Sequence, residues 1–186
     1  MDVQEQVVKE MLMDRGYNNV YSNNAFEDNA VHYQHLTGVN QDDEECHAFW
    51  LVADKLGINV LRTIQSYFKK QPDLIIICRL GSTPFTERKM SESSSSKDIS
   101  VFRNCEINRN VTKHILVPKH TKCTQEEVQN LLKTHKLETV HQLPLMYTTD
   151  AIAKYYNFKE GNVIRINRLN GKNMQTYYRL VVNAAL

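Results

Sequence analysis

Hydrophobic positions in the first half of the chain form two kinds of pattern, helical spacing and short apolar runs typical of strands. Valine, methionine and leucine recur four residues apart in VQEQVVKEMLMDRGY (3–17) and stop at Gly16, which predicts an amphipathic helix with a glycine cap. The segments HAFWLVA (47–53) and DLIIICRL (73–80) are short and rich in aromatic or β-branched residues, which predicts two strands. Between them, NVLRTIQSYFKK (59–70) has helical spacing. A strand, a helix and a strand in this order predict a parallel pair with a right-handed crossover, and hence an α/β layer. The apolar stripe of that helix consists of Leu61, Ile64, Tyr67 and Phe68.

The polar segments of the first half predict loops, a helix start and one further strand. Residues 18–45 are rich in Asn and Asp and show no sustained period, which predicts loop with one short strand at most. Thr83 is expected to cap a helix whose first residue is Pro84. The serine run SESSSSKD (91–98) predicts a low-complexity linker, and ISVFR (99–103) predicts a strand that returns to the same sheet.

The second half predicts a separate α+β module. TQEEVQNLLKTH (124–135) begins with a capping box, Thr124 and Glu127, followed by apolar residues at helical spacing. TTDAIAKYY (148–156) predicts a short helix capped by Thr148 or Thr149. Residues 161–168 and 175–182 predict two strands that form a hairpin around Asn170-Gly171. The predicted fold class is therefore α+β, with an N-terminal α/β domain (1–106) and a small C-terminal α+β domain (107–186).

Composition and charge narrow the classes of protein. The chain has 186 residues, of which 41% are hydrophobic and 24% are charged, as in an ordinary globular protein. We expect no membrane span and no signal peptide, and hence a location in the cytosol or nucleus. Residues 1–106 carry 11 Lys and Arg against 16 Asp and Glu, whereas residues 107–186 carry 12 against 5. The net charges are therefore −5 and +7. The basic half could bind nucleic acid or an acidic protein partner, or it could simply be a solvated basic face, and charge alone does not decide between these explanations. No zinc or disulfide pattern is formed by Cys46, Cys78, Cys105 and Cys123.

A magnesium-dependent nuclease is the sharpest enzymatic hypothesis. Asp73, followed by Glu87 and Lys89, matches the pattern of nucleases in which two carboxylates hold the metal and an ammonium group positions the attacking water. In such sites the Glu and Lys lie on a strand beside the Asp. Here they follow Ser-Thr-Pro, which favours a helix start, where the helix dipole alone explains a Glu in the first turn. The pattern is therefore kept only as the alternative.

The segment HILVPKH (114–120) has the appearance of a metal site but lacks its geometry. His114 and His120 lie six residues apart across a proline, share no helical face and have no third ligand at a recognised spacing. We expect no metal and no cofactor. The hypothesis favoured by the residues is a strand, Leu116-Val117-Pro118, that ends in a rigid turn and is braced by the two histidines. The pairs Tyr155-Tyr156 and Tyr177-Tyr178 fit stacking on bases less well than packing in a core.

Several segments of the second half match one family in order and spacing. HILVPKH, TQEEVQNLL, the Leu-Pro at 143–144, DAIAKYY, GNVIRINR and YYRLVV resemble the C-terminal assembly domain of the fifth subunit shared by the eukaryotic nuclear RNA polymerases. The same module is similar to the corresponding small subunit of the archaeal RNA polymerase. The motif H-x-L-V-P-x-H is matched in full between His114 and His120. In the first half, DRGY (14–17), DKLGIN (54–59) and LGSTPFTE (80–87) resemble, more weakly, the N-terminal jaw of the eukaryotic subunit.

This resemblance implies a non-catalytic subunit of a multisubunit DNA-directed RNA polymerase, without catalytic residues of its own. The C-terminal module is expected to dock on the largest subunit, and the jaw to line the downstream DNA cleft and bind duplex DNA weakly. The implied DNA contacts are Thr83 and Pro84, to which charge adds Arg88 and Lys89. The implied subunit interface or structural joint consists of His114, Leu116, Val117, Pro118, His120, Arg168, Tyr178 and Arg179. A free-standing adaptor that kept the module without joining a polymerase is a third hypothesis.

The chain also departs from the family pattern. The family's Asp-Pro before the short helix is Asp150-Ala151 here, its Arg is Lys154, and the loop LNGKNM (169–174) is about one residue shorter. Specific contacts by that loop therefore do not carry over from the resemblance. The divergence, with the Asn-rich stretch and the serine run, suits a large DNA virus or a reduced eukaryote. The expected location is the nucleus, or a cytoplasmic viral factory or virion for a viral protein.

Overall fold

The chain folds into two compact units, and each is described by itself. The computed structural model describes residues 3–23, 27–28, 31–68, 72–92, 98–170 and 173–183. Unit 1 is Met1–Arg109 and unit 2 is Asn110–Leu186. Helices and strands occur in both units, which confirms the predicted α+β class.

Unit 1 is built on a mixed sheet with helices. Its elements are α1 (Val3–Asp14), β1 (Asn19–Asn23), β2 (Glu27–Asp28), β3 (Val31–Val39), β4 (Glu45–Leu51), α2 (Ile58–Ser66), β5 (Asp73–Cys78), α3 (Pro84–Glu92) and β6 (Ile99–Arg103). The strand order is β1-β3-β4-β5-β6, with β2 beside β3. Strands β4, β5 and β6 are parallel to one another, which confirms the predicted parallel pair and the return of the third strand to the same sheet. Strands β1, β3 and β4 are joined by antiparallel pairing.

The sheet of unit 1 buries apolar side chains on both faces. Strand β5, DLIIIC, is buried from Leu74 to Cys78 without a break, as expected for a parallel strand covered on both sides. One face packs against α2 through a cluster that includes Phe49, Ile64 and Ile76. Next to α1, a Cβ atom added at Gly38 would lie 2.9 Å from Cβ of Tyr17. Glycine at this position therefore lets the end of α1 approach β3 closely.

Helix α1 ends as its sequence predicts. Gly16 has φ +98°, and its N–H donates to the carbonyl oxygen of Met13 over 3.0 Å. The N–H of Tyr17 reaches back to the carbonyl oxygen of Leu12, also over 3.0 Å. These two bonds form a Schellman cap, which confirms the predicted glycine stop. The hydroxyl of Tyr17 then donates to Oδ2 of Asp73 over 2.8 Å and so joins the end of α1 to the start of β5.

A polar cluster lies inside unit 1, on β3 and β4. The Nε2 atom of His35 lies 2.7 Å from Nδ1 of His47, and the hydroxyl oxygen of Thr37 lies within 3.2 Å of both rings. The carboxylate of Glu45 accepts from Nε2–H of His47 over 3.1 Å, which makes Nδ1 of a neutral His47 the acceptor for His35. The His35 ring is stacked on Phe49. Burial, and then the neighbouring His47, lowers the pKa of His35 to about 4, and burial also lowers the pKa of His47.

Three expectations for unit 1 are corrected. The loop predicted for residues 18–45 is wrong, because β1, β2 and the nine-residue β3 occupy most of it. On β3 two of the buried side chains are polar, His35 and Thr37. The sequence therefore lacks the alternation of apolar and polar residues that would have predicted this strand. The predicted helix 59–70 ends early, at Ser66, and Tyr67 is 39% exposed instead of lying on the apolar stripe. The serine run from 93 to 97 lies outside the described residues.

Unit 2 has a four-stranded sheet and two α-helices among the described residues. Its elements are β7 (Lys119–Lys122), α4 (Gln125–His135), β8 (Leu145–Tyr147), α5 (Ala151–Tyr156), β9 (Val163–Asn170) and β10 (Asn173–Val182). The strand order is β7-β9-β10-β8. Strand β8 runs parallel to β10, and the other pairs are antiparallel. Asn170 pairs with Asn173, which confirms the predicted hairpin between β9 and β10.

Each face of this sheet has its own apolar cluster. Ile164 and Val181 belong to a cluster with Ile152 of α5, whereas Val163 and Leu180 belong to a second cluster with Leu131 of α4. The hydroxyl of Thr124 accepts from the N–H of Glu127 over 3.2 Å, and the Glu127 carboxylate accepts from the N–H of Thr124 over 2.9 Å. The predicted capping box of α4 is thus confirmed.

Other expectations for unit 2 are wrong in detail. The cap of α5 is Asp150, whose Oδ1 accepts from the N–H of Ile152 over 2.9 Å, and not Thr148 or Thr149. The strand predicted at Leu116-Val117-Pro118 begins only after the proline, at Lys119. The prediction for Tyr155 and Tyr156 is confirmed: both lie in the predicted helix, with the first buried and the second packed on the cluster beside α5. Strand β8 was not predicted, because three residues carry too little pattern.

Candidate subunit and nucleic-acid interface

The start of α3 is held at the carboxyl edge of the parallel strands of unit 1. Two loops follow β4 and β5, and three backbone hydrogen bonds join them: Leu56 to Gly81, Leu80 to Asp54, and Thr83 to Leu56, with lengths between 2.7 and 3.1 Å. These bonds fix where α3 begins. The carboxyl edge of parallel strands is where α/β sheets most often bind ligands.

The predicted DNA-contact residues come together on this helix. The Thr83 hydroxyl lies 2.8 Å from that of Thr86 and accepts from its N–H over 3.4 Å, which confirms the predicted N-cap. Pro84 is the first residue of α3, and Arg88 and Lys89 follow on the same helix with exposed side chains. A helix N-terminus and two nearby cations form an arrangement that attracts phosphate groups.

Two further cations lie at the same edge, and sequence reasoning missed them. Arg79 directly follows β5, and Arg103 ends β6, next to Cys78 in the strand register. A Cβ atom added at Gly81 would lie 3.4 Å from Cγ of Arg103. Arg79 pairs with Asp54 at 2.7 Å, and Arg103 pairs with Glu106 at 3.0 Å. A basic residue directly after β5 and another at the end of β6 were the available signal.

The residues of the nuclease hypothesis do not converge. Asp73 starts β5 and accepts from Tyr17 and from the N–H of Asp98. Glu87 lies in α3, beyond the other end of β5, where the Ser82 hydroxyl donates to it over 2.6 Å. A strand of this length separates the two carboxylates by roughly 20 Å. Within the described part of the chain, no three His, Cys, Asp or Glu residues are grouped as a metal site.

The HILVPKH segment forms a loop held by its own hydrogen bonds. The N–H of Val117 donates to the carbonyl oxygen of His114 over 2.8 Å, and the N–H of Leu116 donates to Nδ1 of His114 over 3.2 Å. His120 lies with Nδ1 2.7 Å from the carbonyl oxygen of Pro118, and burial lowers its pKa. Val117 packs on the cluster beside α5. The loop thereby presents Ile115 and Leu116 to solvent, with 95% and 81% of their surfaces exposed.

The three predicted interface residues on the hairpin do not form one surface. Arg168 and Arg179 are exposed and lie on the sheet face that carries Ile164 and Ile166. Tyr178 points to the opposite face, where its ring lies 6.4 Å from that of His135 on α4. Tyr178 therefore belongs to the packing of α4. Because neighbouring positions of a strand face opposite sides of the sheet, Tyr178 and Arg179 lie on different faces.

A groove of about 240 Å³ borders α4 on that opposite face. The guanidinium of Arg165 donates through Nη1 to Oε1 of Glu127 over 2.7 Å. The backbone N–H of Thr124, and then Arg165, lower the pKa of Glu127. The groove is lined by Glu127, Asn130, Leu131, Thr134, His135, Arg165 and Tyr178.

Comparison with known proteins identifies the class. A family model described as RNA polymerase Rpb5, C-terminal domain, matches residues 109–181. The DNA-directed RNA polymerases I, II, and III subunit rpabc1 of Dictyostelium discoideum is 31% identical over 172 residues, which cover 88% of this chain and 87% of that protein. The corresponding subunit of Caenorhabditis elegans is 31% identical over 151 residues, covering 79% and 71%. Subunit Rpo5 of Methanocaldococcus jannaschii is 40% identical over 73 residues, covering 39% of this chain and 92% of the archaeal one.

The fold and these similarities define a subunit of a multisubunit DNA-directed RNA polymerase, a non-catalytic component of such an enzyme. The chain belongs to the Rpb5 family, whose eukaryotic relatives are named as subunits of RNA polymerases I, II and III. The family expected from the sequence is thereby confirmed, and the nuclease alternative receives no support.

Proposed function

We propose that this chain is assembled into an RNA polymerase, where unit 2 docks on the largest subunit and unit 1 lines the downstream DNA cleft. The observation that carries the proposal is the similarity to the Dictyostelium subunit, which extends over 88% of the chain and so reaches into both units. The archaeal relative, which is matched over 92% of its own length by 73 residues, supports an assembly role for a module of about the size of unit 2.

Unit 2 offers a suitable docking surface at the loop that ends at Pro118. Ile115 and Leu116 are aliphatic and almost fully exposed, and the internal hydrogen bonds of the loop hold them in place. A loop that is already ordered loses little entropy when a partner covers it. The local roles that we propose for His114 and His120 are to fix this loop and its junction with β7.

Unit 1 offers a smaller, polar contact at α3. We propose that Thr83 and Pro84 approach the phosphate backbone of the DNA and that Arg88 and Lys89 add charge. Arg79 and Arg103 are close enough along the same edge to contribute. Acidic partners already balance Arg79 and Arg103, so the free subunit binds duplex weakly and in a salt-dependent way. The proposed place of action is the nucleus, or a viral factory or virion for a viral chain.

Co-expression with the cognate largest subunit tests the docking. The wild-type chain should co-purify, and the double substitution Ile115→Asp with Leu116→Asp should lower the recovered fraction at least about tenfold, because it places two charges in an apolar contact. The control is Met13→Asp on α1, a residue that is 54% exposed in unit 1. Failure of the wild-type chain to co-purify would refute the proposal and favour the free-standing adaptor.

Two assays with duplex DNA test unit 1. In a titration at several salt concentrations, Arg88→Gln with Lys89→Gln should reduce affinity by a few-fold and lower the salt slope by about two. Incubation of the protein with plasmid and Mg²⁺ should leave the plasmid intact. Cleavage that disappears in Glu87→Ala would instead restore the nuclease.

A further inference from the structure

The end of the β9–β10 hairpin extends beyond the rest of the unit 2 sheet. The pairing of β7 with β9 stops at Lys119 and Asn167, and β8 pairs with β10 only from Leu180 onward. Residues 168–170 and 173–175 therefore pair only with each other, and we call these two stretches the ribbon. Those side chains of the ribbon that the structure describes are all exposed. A two-stranded ribbon with neither face covered is at best marginally stable in water.

The ribbon carries apolar side chains in spite of its exposure. Leu169 and Met174 are paired in the register and so share a face, with 67% and 65% of their surfaces exposed. On β10, two residues beyond the ribbon, Tyr177 lies on the other face and is 48% exposed. Adjacent exposed apolar residues are typical of a surface that another molecule covers. Methionine, tyrosine and arginine are also the residue types enriched in protein interfaces.

The charged residues within the strands of unit 2 are all of one sign. Strands β7, β8, β9 and β10 contain no Asp or Glu, whereas they contain Lys119, Lys122, Arg165, Arg168 and Arg179. Arg165 is paired with Glu127 of α4. Lys119, opposite Asn167 in the register, lies on the Leu169–Met174 face, and Arg168 lies on the other face next to this pair. A partner complementary to this end has an apolar patch bordered by carboxylates.

We propose that the ribbon is a docking prong whose Leu169–Met174 face is covered by an apolar patch with an acidic border on another polypeptide of the polymerase. The inference rests on the proposed assembly function and adds a second contact to the loop at Ile115 and Leu116. A polypeptide is favoured over nucleic acid because the exposed pair is aliphatic and offers no ring for base stacking. The described ribbon also holds a single cation, Arg168, which is too little charge for a track of phosphate contacts.

The experiment compares two opposite charges placed at the same two positions. Polymerase subunits lacking this chain are titrated with the full-length wild type, with Leu169→Asp/Met174→Asp and with Leu169→Lys/Met174→Lys. Both pairs remove the apolar contact, but only the aspartate pair also faces the carboxylates of the partner with like charge. We expect affinity to fall at least about tenfold more for the aspartate pair than for the lysine pair. Thermal unfolding of each variant, with Met13→Asp as the control, verifies that the fold is intact.

Each outcome decides the inference. Equal losses for the two pairs would overturn the acidic border, and unchanged affinity for both would overturn the prong, while wild-type binding would still uphold the proposed function. Absence of wild-type binding would overturn both. A photo-crosslinking residue at position 169, introduced into the assembled polymerase, should yield a protein adduct. An adduct with nucleic acid would refute the choice of partner.

Discussion

The two units use their sheets in opposite ways. In unit 1 the parallel strands are buried on both faces, and β5 has no exposed position from Leu74 to Cys78. In unit 2 one end of the sheet stays uncovered, and β10 is exposed from Asn173 to Tyr177 before it becomes buried at Leu180. Strand β5 thus uses its apolar side chains for the core of unit 1, whereas β10 leaves Met174 and Tyr177 exposed at the surface of unit 2.

The largest effect should separate core from ribbon. Ile76 is fully buried in β5, between β4 and β6, so Ile76→Ala should lower the free energy of unfolding by about 3 kcal/mol through lost burial and a residual cavity. Met174→Ala on the ribbon should change it by less than about 0.5 kcal/mol. Urea unfolding provides the measurement, followed by the fluorescence of Trp50, the single tryptophan, for unit 1 and by far-UV circular dichroism, to which unit 2 also contributes. A similar loss for Met174→Ala would show that the ribbon contributes to the stability of the fold.

The second effect is confined to unit 1 and depends on pH. His35 has a folded pKa of about 4, and the unfolded ring titrates near its ordinary pKa of 6.5, so the unfolded chain binds more protons between these values. The contribution of His35 to the free energy of unfolding is fully present above about pH 6.5 and decreases as the pH drops toward about 4. Between about pH 7 and pH 5 the free energy of unfolding should decrease by about 2 kcal/mol. The Glu45 carboxylate accepts a hydrogen bond from His47 and favours the protonated form of that ring. His47 therefore contributes less than His35 to the loss of stability at low pH.

A double variant tests this dependence. His35→Phe with His47→Leu removes both titrating rings and leaves an apolar pair, so the slope of stability against pH should flatten in this window. An unaltered slope in the double variant would assign the acid sensitivity to other groups.

A smaller effect concerns the capping box of α4 in unit 2. Thr124→Ala removes the acceptor for the Glu127 N–H and should cost about 1 kcal/mol. The control is Thr134→Ala near the end of the same helix, where the hydroxyl only donates to the carbonyl oxygen of Asn130. Hydrogen exchange of the first-turn amides of α4 reports the change. Equal protection in both variants would contradict the cap.

The smallest effect distinguishes two neighbouring residues at the start of α5. Asp150→Ala should cost about 0.5 to 1 kcal/mol because the N–H of Ile152 loses its acceptor. Thr149→Ala should have almost no effect, since Thr149 is exposed and outside the cap. Thermal unfolding of the two variants side by side is sufficient. A larger loss for Thr149→Ala would reinstate the cap expected from the sequence.

Local signals in the sequence were sufficient for much of the fold. The glycine stop of α1, the apolar run of β5, the capping box of α4 and the β9–β10 hairpin each depend on residues close together in the chain, and each prediction is confirmed. Strand β3 was missed because its buried side chains include His35 and Thr37, which are satisfied by His47 on the neighbouring strand. That partnership becomes visible only once the strands are paired.

The candidate interface shows the same limit. Thr83, Pro84, Arg88 and Lys89 are close in sequence, so their common position on α3 followed directly. Arg79 and Arg103 join them only through the pairing of β5 with β6. The exposure of Ile115 and Leu116 was also missed, because an apolar tetrapeptide predicts a strand unless the hydrogen bonds that turn the loop are known.

The position of β10 between β9 and β8 has a consequence during synthesis of the chain. Unit 1 has its last strand once Arg103 has left the ribosome, whereas the sheet of unit 2 waits for Val182, 79 residues later. Because β10 is an inner strand, a nascent chain that stops before Asn173 leaves β8 and β9 without the neighbour they share. A chain that stops there has every strand of unit 1 but cannot complete the sheet of unit 2. Synthesis through β10 is therefore a condition for forming the surface by which we propose that unit 2 docks.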